Sequence, residues 1–435
     1  MDAILLKGVR LAGGGKYDIR IEGNKIASIN KYDGDKAPET QKAGSGADCR
    51  TIDCKNFYAV PGLFNMHTHS AMTLVRGVAK GERLHSWLDQ IWQIESYLDD
   101  EAIYWGTKLA VLEMIKTGTT CFADMYWRIP QAMRAVDEMG LRANLSYVLL
   151  DGGDPEKARL QRKECEAMEK EARGWPSRVG FSLAIHADYT VCDENMEWAA
   201  GFAREHGLKI QAHLSETEKE MRDTIARYGF SPVAHFDKYG LINKDFIAAH
   251  GLWLSDTDIE TLGSRGATVV HNINSNLMLS SGYKFKYKEL RDAGATVCIG
   301  TDGTASSDNL DIRESMKTTL LLQWAWRRDP AAFPICELFK AATLNGARAL
   351  GIDSGRIEEG ALADIALIDV RRPAFVPDYD FLSNYVLAAD SSCVDTLICD
   401  GRILMEGRKV QGEDEILDKA QENAFRLMRK AGICK

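Results

Sequence analysis

The histidines of this 435-residue chain are placed where they could act together. Six of the nine lie at or just beyond the ends of short apolar runs that we predict to be β-strands: His67, His69, His186, His213, His250 and His271. A single histidine at a strand end is usually structural. Six of them on several strands indicate a shared site, because catalytic residues of barrel enzymes come from the ends of several strands.

Three of these histidines and one aspartate have the chemistry of one metal centre. His67 and His69, separated by one residue, place two imidazoles on the same side of an extended segment. With His213 and Asp302 at two later strand ends they supply three nitrogens and one oxygen, which leaves a position open for water as catalytic zinc requires. The fourth run ends in His186, where a second metal would need a bridging group. The sequence therefore predicts one divalent metal ion, preferably Zn²⁺, with Fe²⁺ as the alternative.

Two further groups lie near these residues and have no obvious structural duty. Glu216 follows His213 by three positions and could face the same cavity, although a glutamate at the start of a helix is also favoured by the helix dipole. His250 ends the run FIAAH and could reach in from the next strand. Its alternatives are a plain metal ligand or a core histidine.

A regular alternation of strands and helices must position these residues. Eight β-prone runs, separated by helical stretches, are predicted at residues 57–67, 119–125, 142–150, 179–187, 209–214, 246–251, 267–272 and 295–303. Strands that are apolar throughout are buried on both faces. Eight such units predict an α/β fold with a (β/α)8 TIM-type barrel. An open doubly wound sheet is the alternative, disfavoured because no G-x-G-x-x-G follows the first run.

The two ends of the chain differ from this pattern. Residues 1–57 and 357–435 contain alternating apolar and polar runs with turn glycines. We expect both ends to pair into one small β-sandwich domain beside a metal-dependent barrel over 58–356. The last residues carry one apolar stripe at helical spacing, which predicts a terminal helix after the C-terminal part of this domain.

Composition narrows the class of partner. With 54 basic and 63 acidic side chains the net charge is −9, and no basic run offers a footprint for nucleic acid or an anionic membrane. The ten cysteines form no C-x-x-C pair, which argues against zinc ribbons and favours a reducing, cytoplasmic setting. No run of 18 apolar residues occurs. We expect a small-molecule substrate, and the sequence leaves a homo-oligomer open.

The motifs VPGLFNMHTH, QAHLSET, AAHG and IGTDG occur in this order along the chain. With them the chain resembles the amidohydrolase superfamily, metal-dependent hydrolases built on such a barrel with a small β domain. HTHSAMTLVRGVA, HADYTV and HLSET make it more similar to the methylthioadenosine/S-adenosylhomocysteine deaminases. The resemblance implies that His67, His69, His213 and Asp302 bind the metal. It also implies a nucleoside substrate, a 5′-substituted adenosine such as methylthioadenosine, S-adenosylhomocysteine, 5′-deoxyadenosine or adenosine.

The resemblance assigns substrate contacts that the residues alone do not suggest. Glu95 would accept the ribose hydroxyls, Trp87 would form a wall of the pocket, and Arg159 and His186 would make further contacts. From the sequence alone, Glu95 and Arg159 are expected to be ordinary surface charges. Tyr147 stands where some family members have an arginine that helps bind the substrate's terminal carboxylate. This difference weakens the case for S-adenosylhomocysteine.

The resemblance also implies a mechanism of hydrolytic deamination. Glu216 would protonate the adenine ring and later return protons so that ammonia leaves, while His250 and Asp302 would help take the proton of the attacking water. Glu216 and Asp302 would both contact the substrate. One departure from the family pattern is Ile273, which follows His271 and Asn272 where proline is usual.

Three other functions fit the sequence less well than deamination of an adenosine. An amidohydrolase acting on guanine-like rings, pterins or triazines would keep the metal residues but would not need Glu95 as a ribose acceptor. A non-catalytic scaffold that kept the barrel would be expected to have lost metal ligands, and all four are present. A dinucleotide-dependent oxidoreductase lacks its glycine loop.

Overall fold

The computed structural model describes residues 3–34 and 49–433. The remaining positions belong to the two predicted ends of the small domain and lie outside the described residues. The strands that precede the barrel are β1 (Ala3–Leu11), β2 (Lys16–Glu22), β3 (Lys25–Lys31), β4 (Cys49–Asp53) and β5 (Phe57–Pro61). Strand β1 pairs with β2 in antiparallel orientation and with β4 and β5 in parallel orientation.

In the described part of the chain, eight parallel strands follow one another around a barrel. They are β6 (Leu63–Thr68), β7 (Thr119–Met125), β8 (Arg142–Leu149), β9 (Val179–Ile185), β10 (Ile210–Leu214), β11 (Phe246–His250), β12 (Thr268–His271) and β13 (Thr296–Ile299). The first and last strands meet where the Asp302 amide donates to the His67 carbonyl at 2.9 Å. This confirms the predicted barrel and places its strand order in chain order.

The C-terminal strands complete a second sheet. They are β14 (Ile365–Asp369), β15 (Val394–Cys399), β16 (Arg402–Glu406) and β17 (Lys409–Val410). Strand β14 lies antiparallel to β5, so this pair joins the two ends of the chain in one sheet. The expectation that both termini build one small β domain is confirmed for the described residues, whose strands form a single 9-stranded sheet. The domain boundaries at 57 and 357 stay a prediction.

Helices cover the outside of the barrel and its loops. The α-helices are α1 (Leu84–Glu95), α2 (Asp100–Thr117), α3 (Ile129–Met139), α4 (Pro155–Ala172), α5 (Asp193–His206), α6 (Glu218–Tyr228), α7 (Pro232–Lys238), α8 (Asp256–Ser264), α9 (Ile273–Met278), α10 (Tyr287–Ala293), α11 (Thr304–Ser307), α12 (Ile312–Arg327), α13 (Ile335–Ala341), α14 (Leu344–Leu350), α15 (Phe381–Ser383) and α16 (Glu413–Lys430). Short 3-10 helices span Ser70–Val75, Pro373–Phe375 and Ser391–Cys393, and a π-helical turn spans Asn384–Ala388. Within the described ranges, no helix is both long and apolar enough to cross a bilayer.

The predicted first strand, 57–67, was wrong as a single element. It is divided at Gly62 into β5, which belongs to the terminal sheet, and β6, which opens the barrel. A Cβ atom at Gly62 would lie 2.1 Å from Thr120 Oγ1, so the turn between the sheets requires glycine. Apolar runs on both sides of the glycine look alike, because both strands have buried residues.

A buried ion pair connects the barrel to the terminal sheet. Arg142, the first residue of β8, donates from Nε to Asp364 at 2.8 Å and from its terminal nitrogen to Asp400 at 2.7 Å. The Asp364 side chain is fully buried and also accepts from Ser354 at 2.6 Å. Arg142 therefore pairs with two acids of the terminal sheet at the base of the barrel.

Arg142→Met should lower the free energy of unfolding by about 3–5 kcal/mol, because it leaves the Asp364 carboxylate buried without its cation. Urea denaturation followed by circular dichroism would measure the change. The control is Arg134→Met, which removes an exposed pair with Glu138 and should change stability little. Equal stabilities of the two variants would contradict a structural role for the buried pair.

Candidate active site

The residues predicted to bind metal meet at the C-terminal ends of the barrel strands. His67 and His69 come from the end of β6, His213 from β10, and Asp302 from the loop after β13. The ligand nitrogens of the three histidines all lie within 4.8 Å of one another. Asp302 Oδ1 lies 3.1 Å from His69 Nε2 and 3.7 Å from His67 Nε2. The structure thus brings together the four side chains that the sequence proposed.

Hydrogen bonds from the opposite ring edges determine which nitrogens face the centre. His69 Nδ1 lies 2.5 Å from the Met125 carbonyl oxygen, and His213 Nδ1 lies 2.7 Å from the His186 carbonyl oxygen. Carbonyl oxygens only accept, so each Nδ1 carries a proton and Nε2 is the nitrogen directed at the centre. Asp302 raises the pKa of His69 to about 9, so without a metal ion a proton occupies His69 Nε2, the position where the ion would bind. These two Nε2 atoms are 3.3 Å apart.

The same centre contains polar atoms that the protein leaves without partners. Both ring nitrogens of His67 are buried and make no hydrogen bond. Burial and the nearby His69 hold the pKa of His67 well below its usual range. His67 therefore stays neutral, and its ring nitrogens gain no partner by protonation. Converging lone pairs beside a carboxylate are the donor set of a divalent cation. The residues present therefore fit a metal ion.

Purified protein should carry about one divalent ion per chain, because the four converging side chains form a single donor set. His69→Ala should remove most of this metal, which elemental analysis would detect. His206→Ala is the control, since His206 lies on α5 beside Glu169 and away from this centre. Two tightly bound ions per chain, both required for activity, would contradict a mononuclear site.

Glu216 lies at the edge of the metal centre, not in a helix. Helix α6 begins at Glu218 with Thr217 as its N-cap, so Glu216 precedes the first turn and the helix-dipole alternative does not account for it. Its Oε2 lies 3.7 Å from His250 Nε2, and its side chain is buried. Burial and the charge of Asp302 raise the pKa of Glu216 to about 8. The carboxyl therefore holds a proton at neutral pH.

The backbone beneath Glu216 is held by a second buried acid. The two carboxylate oxygens of Glu220 accept the amide protons of Ser215 and Glu216, both at 2.7 Å. Ser215 has a φ of +52°, a left-handed conformation that side chains disfavour. These two bonds stabilise the turn that directs Glu216 into the site.

His250 is a neutral imidazole in this environment. It is 1% exposed, and burial lowers its pKa to about 4. Asn276 Nδ2 lies 2.9 Å from His250 Nδ1, so with the amide in this orientation Nδ1 accepts and Nε2 carries the proton. The Nε2–H faces Glu216. His271, the sixth histidine of the sequence pattern, instead stacks on Phe285 with ring centroids 4.1 Å apart.

A cleft with aromatic walls opens directly onto the metal centre. Its lining includes the predicted residues Trp87, Glu95, His186, Glu216, His250 and Asp302 together with His69 and His213. Glu95 Oε1 accepts from the Tyr126 hydroxyl at 2.6 Å, although the sequence alone predicted a surface acid. Trp87 Nε1 donates to the Ala305 carbonyl at 3.4 Å. Burial lowers the pKa of His186 to about 3, so this side chain is also neutral.

Sequence reasoning missed several aromatic walls of this cleft. Trp92, Tyr126, Trp127 and Tyr189 all line it. Tyr126 and Trp127 directly follow β7, so their position at a strand end was the available signal. Trp92 lies on α1, and its contact with the barrel depends on how that helix packs.

Arg159 and Tyr147, which the family resemblance relates to substrate binding, lie outside the cleft. Arg159 is exposed on α4, where it pairs with Glu156 one turn earlier. Tyr147 donates its hydroxyl to Glu164 at 2.6 Å. Neither side chain is among those that line the cleft. A substrate contact by Arg159 stays a prediction that this arrangement does not support.

Ile273 can be understood from its place in the fold. It is the first residue of α9, with Asn272 as the N-cap, and its side chain is fully buried. Proline is favoured at the first position of a helix, because the backbone N–H there has no partner within the helix. Isoleucine at this position therefore keeps the helix start and adds apolar packing.

The family model described as the amidohydrolase family matches residues 58–404. The chain therefore belongs to the amidohydrolase family, and the resemblance drawn from its motifs is confirmed. The matched region contains the whole barrel and every residue of the candidate site.

Proteins of stated activity are similar to nearly the whole chain. A 5′-deoxyadenosine deaminase from Methanoregula boonei is 44% identical over 421 residues, which cover 96% of this chain and 94% of that protein. A 5-methylthioadenosine/S-adenosylhomocysteine deaminase from Archaeoglobus fulgidus is 40% identical over 419 residues, 95% of this chain and 96% of that protein. The crystal structure of an adenosine deaminase from Xanthomonas campestris with bound zinc has a TM-score of 0.89 and 29% identity, covering 98% of each chain.

Proposed function

We propose that this protein is a metal-dependent hydrolytic deaminase that converts a 5′-substituted adenosine to the corresponding inosine derivative and ammonia. The observation that carries the proposal is a cleft with two carboxyl groups of different roles. Glu216 is buried beside the metal centre, where burial and the charge of Asp302 raise its pKa to about 8, and Glu95 lies among the aromatic walls. The names of the similar proteins support the same reaction class.

One divalent ion would be held by His67, His69, His213 and Asp302. Zinc is the preferred ion, because imidazoles and carboxylates are common zinc ligands. The similar adenosine deaminase structure also contains zinc. A bound ion of this kind lowers the pKa of a water molecule toward neutrality and so supplies a nucleophile. The aromatic walls exclude bulk water and orient the flat purine ring above these residues.

Proton transfers by the protein's own residues complete the reaction. Glu216 donates its proton to the ring nitrogen next to C6 while the water oxygen bonds to C6 and Asp302 accepts the proton of that water. Glu216 then takes the proton of the new hydroxyl group, and the proton on Asp302 passes to the amino nitrogen. The C6–N bond breaks, ammonia leaves, and both carboxyl groups regain their starting states. The sequence predicted that His250 helps take the proton of the water, but with Nδ1 bonded to Asn276 its Nε2 already carries a proton. His250 therefore donates to the attacking oxygen and orients it.

The ribose and its 5′ substituent are assigned to the outer part of the cleft. Trp92, Glu95 and Trp127 also line an adjoining cleft, whose other lining residues are Ser96, Leu98, Arg128, Leu150 and Lys157. A ribose whose hydroxyls bond to Glu95 would direct its 5′ group toward the tryptophan and leucine side chains of this adjoining cleft. This arrangement favours small or thioether substituents.

Glu216→Gln should reduce kcat by about 10²-fold or more, because an amide cannot donate and recover a proton. Its metal content should be unchanged, since Glu216 is not a ligand. Glu218→Gln, an exposed acid two residues later, is the control and should retain activity. Near-normal turnover by the Glu216 variant would remove the central support for the mechanism.

Methylthioadenosine, 5′-deoxyadenosine or adenosine should match or exceed S-adenosylhomocysteine in kcat/KM, and free adenine should be a poor substrate. Tyr147 and Arg159 both lie outside the cleft, so neither supplies a charge-assisted bond to an amino-acid carboxylate, a bond type worth about 1.5–3 kcal/mol, or about one to two orders of magnitude in affinity. Arg128 and Lys157 in the adjoining cleft are exposed, and Arg128 already pairs with Asp100 at 2.7 Å, so an ion pair with either would contribute less. Loss of adenine absorbance measures the rates. A strong preference for S-adenosylhomocysteine that persists in Arg159→Met would show that its carboxylate binds elsewhere.

A further inference from the structure

One short segment after β12 contacts Asp302, His250 and Glu216, the three groups that transfer protons or orient the water in the proposed reaction. This 275–281 segment runs from Ser275 to Ser281 and includes most of α9. Ser275 Oγ donates to Asp302 Oδ2 at 2.6 Å. Asp302 Oδ1 accepts separately from the Gly303 amide at 2.7 Å. Ser306 Oγ, outside the segment, also donates to Oδ2, at the longer distance of 3.2 Å. The two oxygens of this carboxylate are thus fixed by different partners.

The next residue of the segment holds the imidazole. Asn276 Nδ2 lies 2.9 Å from His250 Nδ1, and both side chains are buried. This contact fixes both the ring plane and the nitrogen that carries the proton, since an amide N–H requires a lone pair on its partner. With Asn276 in this orientation, the His250 N–H is directed toward the cleft.

The end of the segment holds the proton donor. Ser281 Oγ donates to Glu216 Oε1 at 3.2 Å, and Ser281 is buried. Glu216 Oε2 remains directed toward His250 at 3.7 Å. Ser281 therefore leaves one oxygen of Glu216 free to exchange a proton with the substrate. The carbonyl oxygen of Ser281 also accepts from Trp253 Nε1 at 2.8 Å. This bond anchors the segment to the loop after β11.

We propose that the 275–281 segment is a positioning element that holds Asp302, His250 and Glu216 in one fixed relative geometry. The inference rests on the proposed deamination. The segment supplies Ser275, Asn276 and Ser281 as positioning residues, none of which is a metal ligand. Because the three side chains extend from one continuous backbone, a movement of the segment displaces all three reacting groups together.

Double-mutant cycles test whether each contact acts through its partner. Ser281→Ala should lower kcat about 10-fold, the usual loss for one hydrogen bond to a charged or reacting group, with little change in KM. In a Glu216→Gln background the same Ser281→Ala change should have almost no further effect, because its partner no longer transfers protons. An undiminished 10-fold loss in that background would show a general structural role and overturn the proposal.

A second measurement does not depend on activity. Ser275→Ala should leave about one metal ion bound but speed its removal by a chelator by about 10-fold, because hydrogen bonds to a ligand tune metal affinity. Asn276→Asp should move the His250 proton from Nε2 to Nδ1, since a carboxylate accepts, and ¹⁵N spectra of histidine-labelled protein would detect the change. Unchanged metal release together with unchanged ¹⁵N shifts would also overturn the proposal.

Control variants come from the same segment and its helix. Asn274→Ala changes a half-buried amide on α9, and Ser280→Ala changes an exposed hydroxyl next to Ser281. Both should keep parental kcat, metal release and ¹⁵N spectra. If the parent protein itself fails to deaminate any nucleoside, the proposed function fails, whereas the metal-release and ¹⁵N measurements still decide whether the segment positions these groups.

Discussion

The requirement of one buried cluster for a positive charge organises the rest of this structure. Lone pairs of His67, His69 and His213 converge beside the Asp302 carboxylate at the top of the barrel. Burial and neighbouring histidines hold the pKa values of His67 and His213 well below their usual range. A proton on His69 would satisfy Asp302 but would leave the other nitrogens without partners. A divalent cation satisfies all four at once, and uncompensated burial of these groups would be costly.

The fold directs side chains to this cluster through unusual backbone at the strand ends. Ser215, His250 and Asp302 all have positive φ angles, +52°, +73° and +65°. Residues with side chains disfavour this conformation, and such strain persists where surrounding contacts support it. Each of the three follows or ends a barrel strand, so the chain turns sharply there. Glu220 stabilises the turn at Ser215. The 275–281 segment contacts the side chains of Glu216, His250 and Asp302, which these turns direct into the site.

Different partners give two buried neighbouring carboxyl groups opposite protonation states. Desolvation raises the pKa of Glu216 to about 8, while the hydrogen bond and charge of His69 outweigh desolvation at Asp302 and hold its pKa well below the usual range. One group can therefore donate a proton while the other accepts one. Pairs of titratable groups with separated pKa values are how such sites assign acid and base roles. The separation here arises from partners, since both side chains are buried.

The sequence by itself determined the barrel, the terminal sheet and the side chains of the predicted metal centre. Apolar strands and residue spacing are local properties, and histidines at strand ends converge in any parallel barrel. Only the tertiary structure divided the first predicted strand at Gly62, placed Glu95 among aromatic walls and left Arg159 on the surface. It also decided that Ser275, Asn276 and Ser281 contact Asp302, His250 and Glu216. These contacts join side chains 26 to 65 positions apart, and local periodicity carries no information about which distant surfaces will pack together.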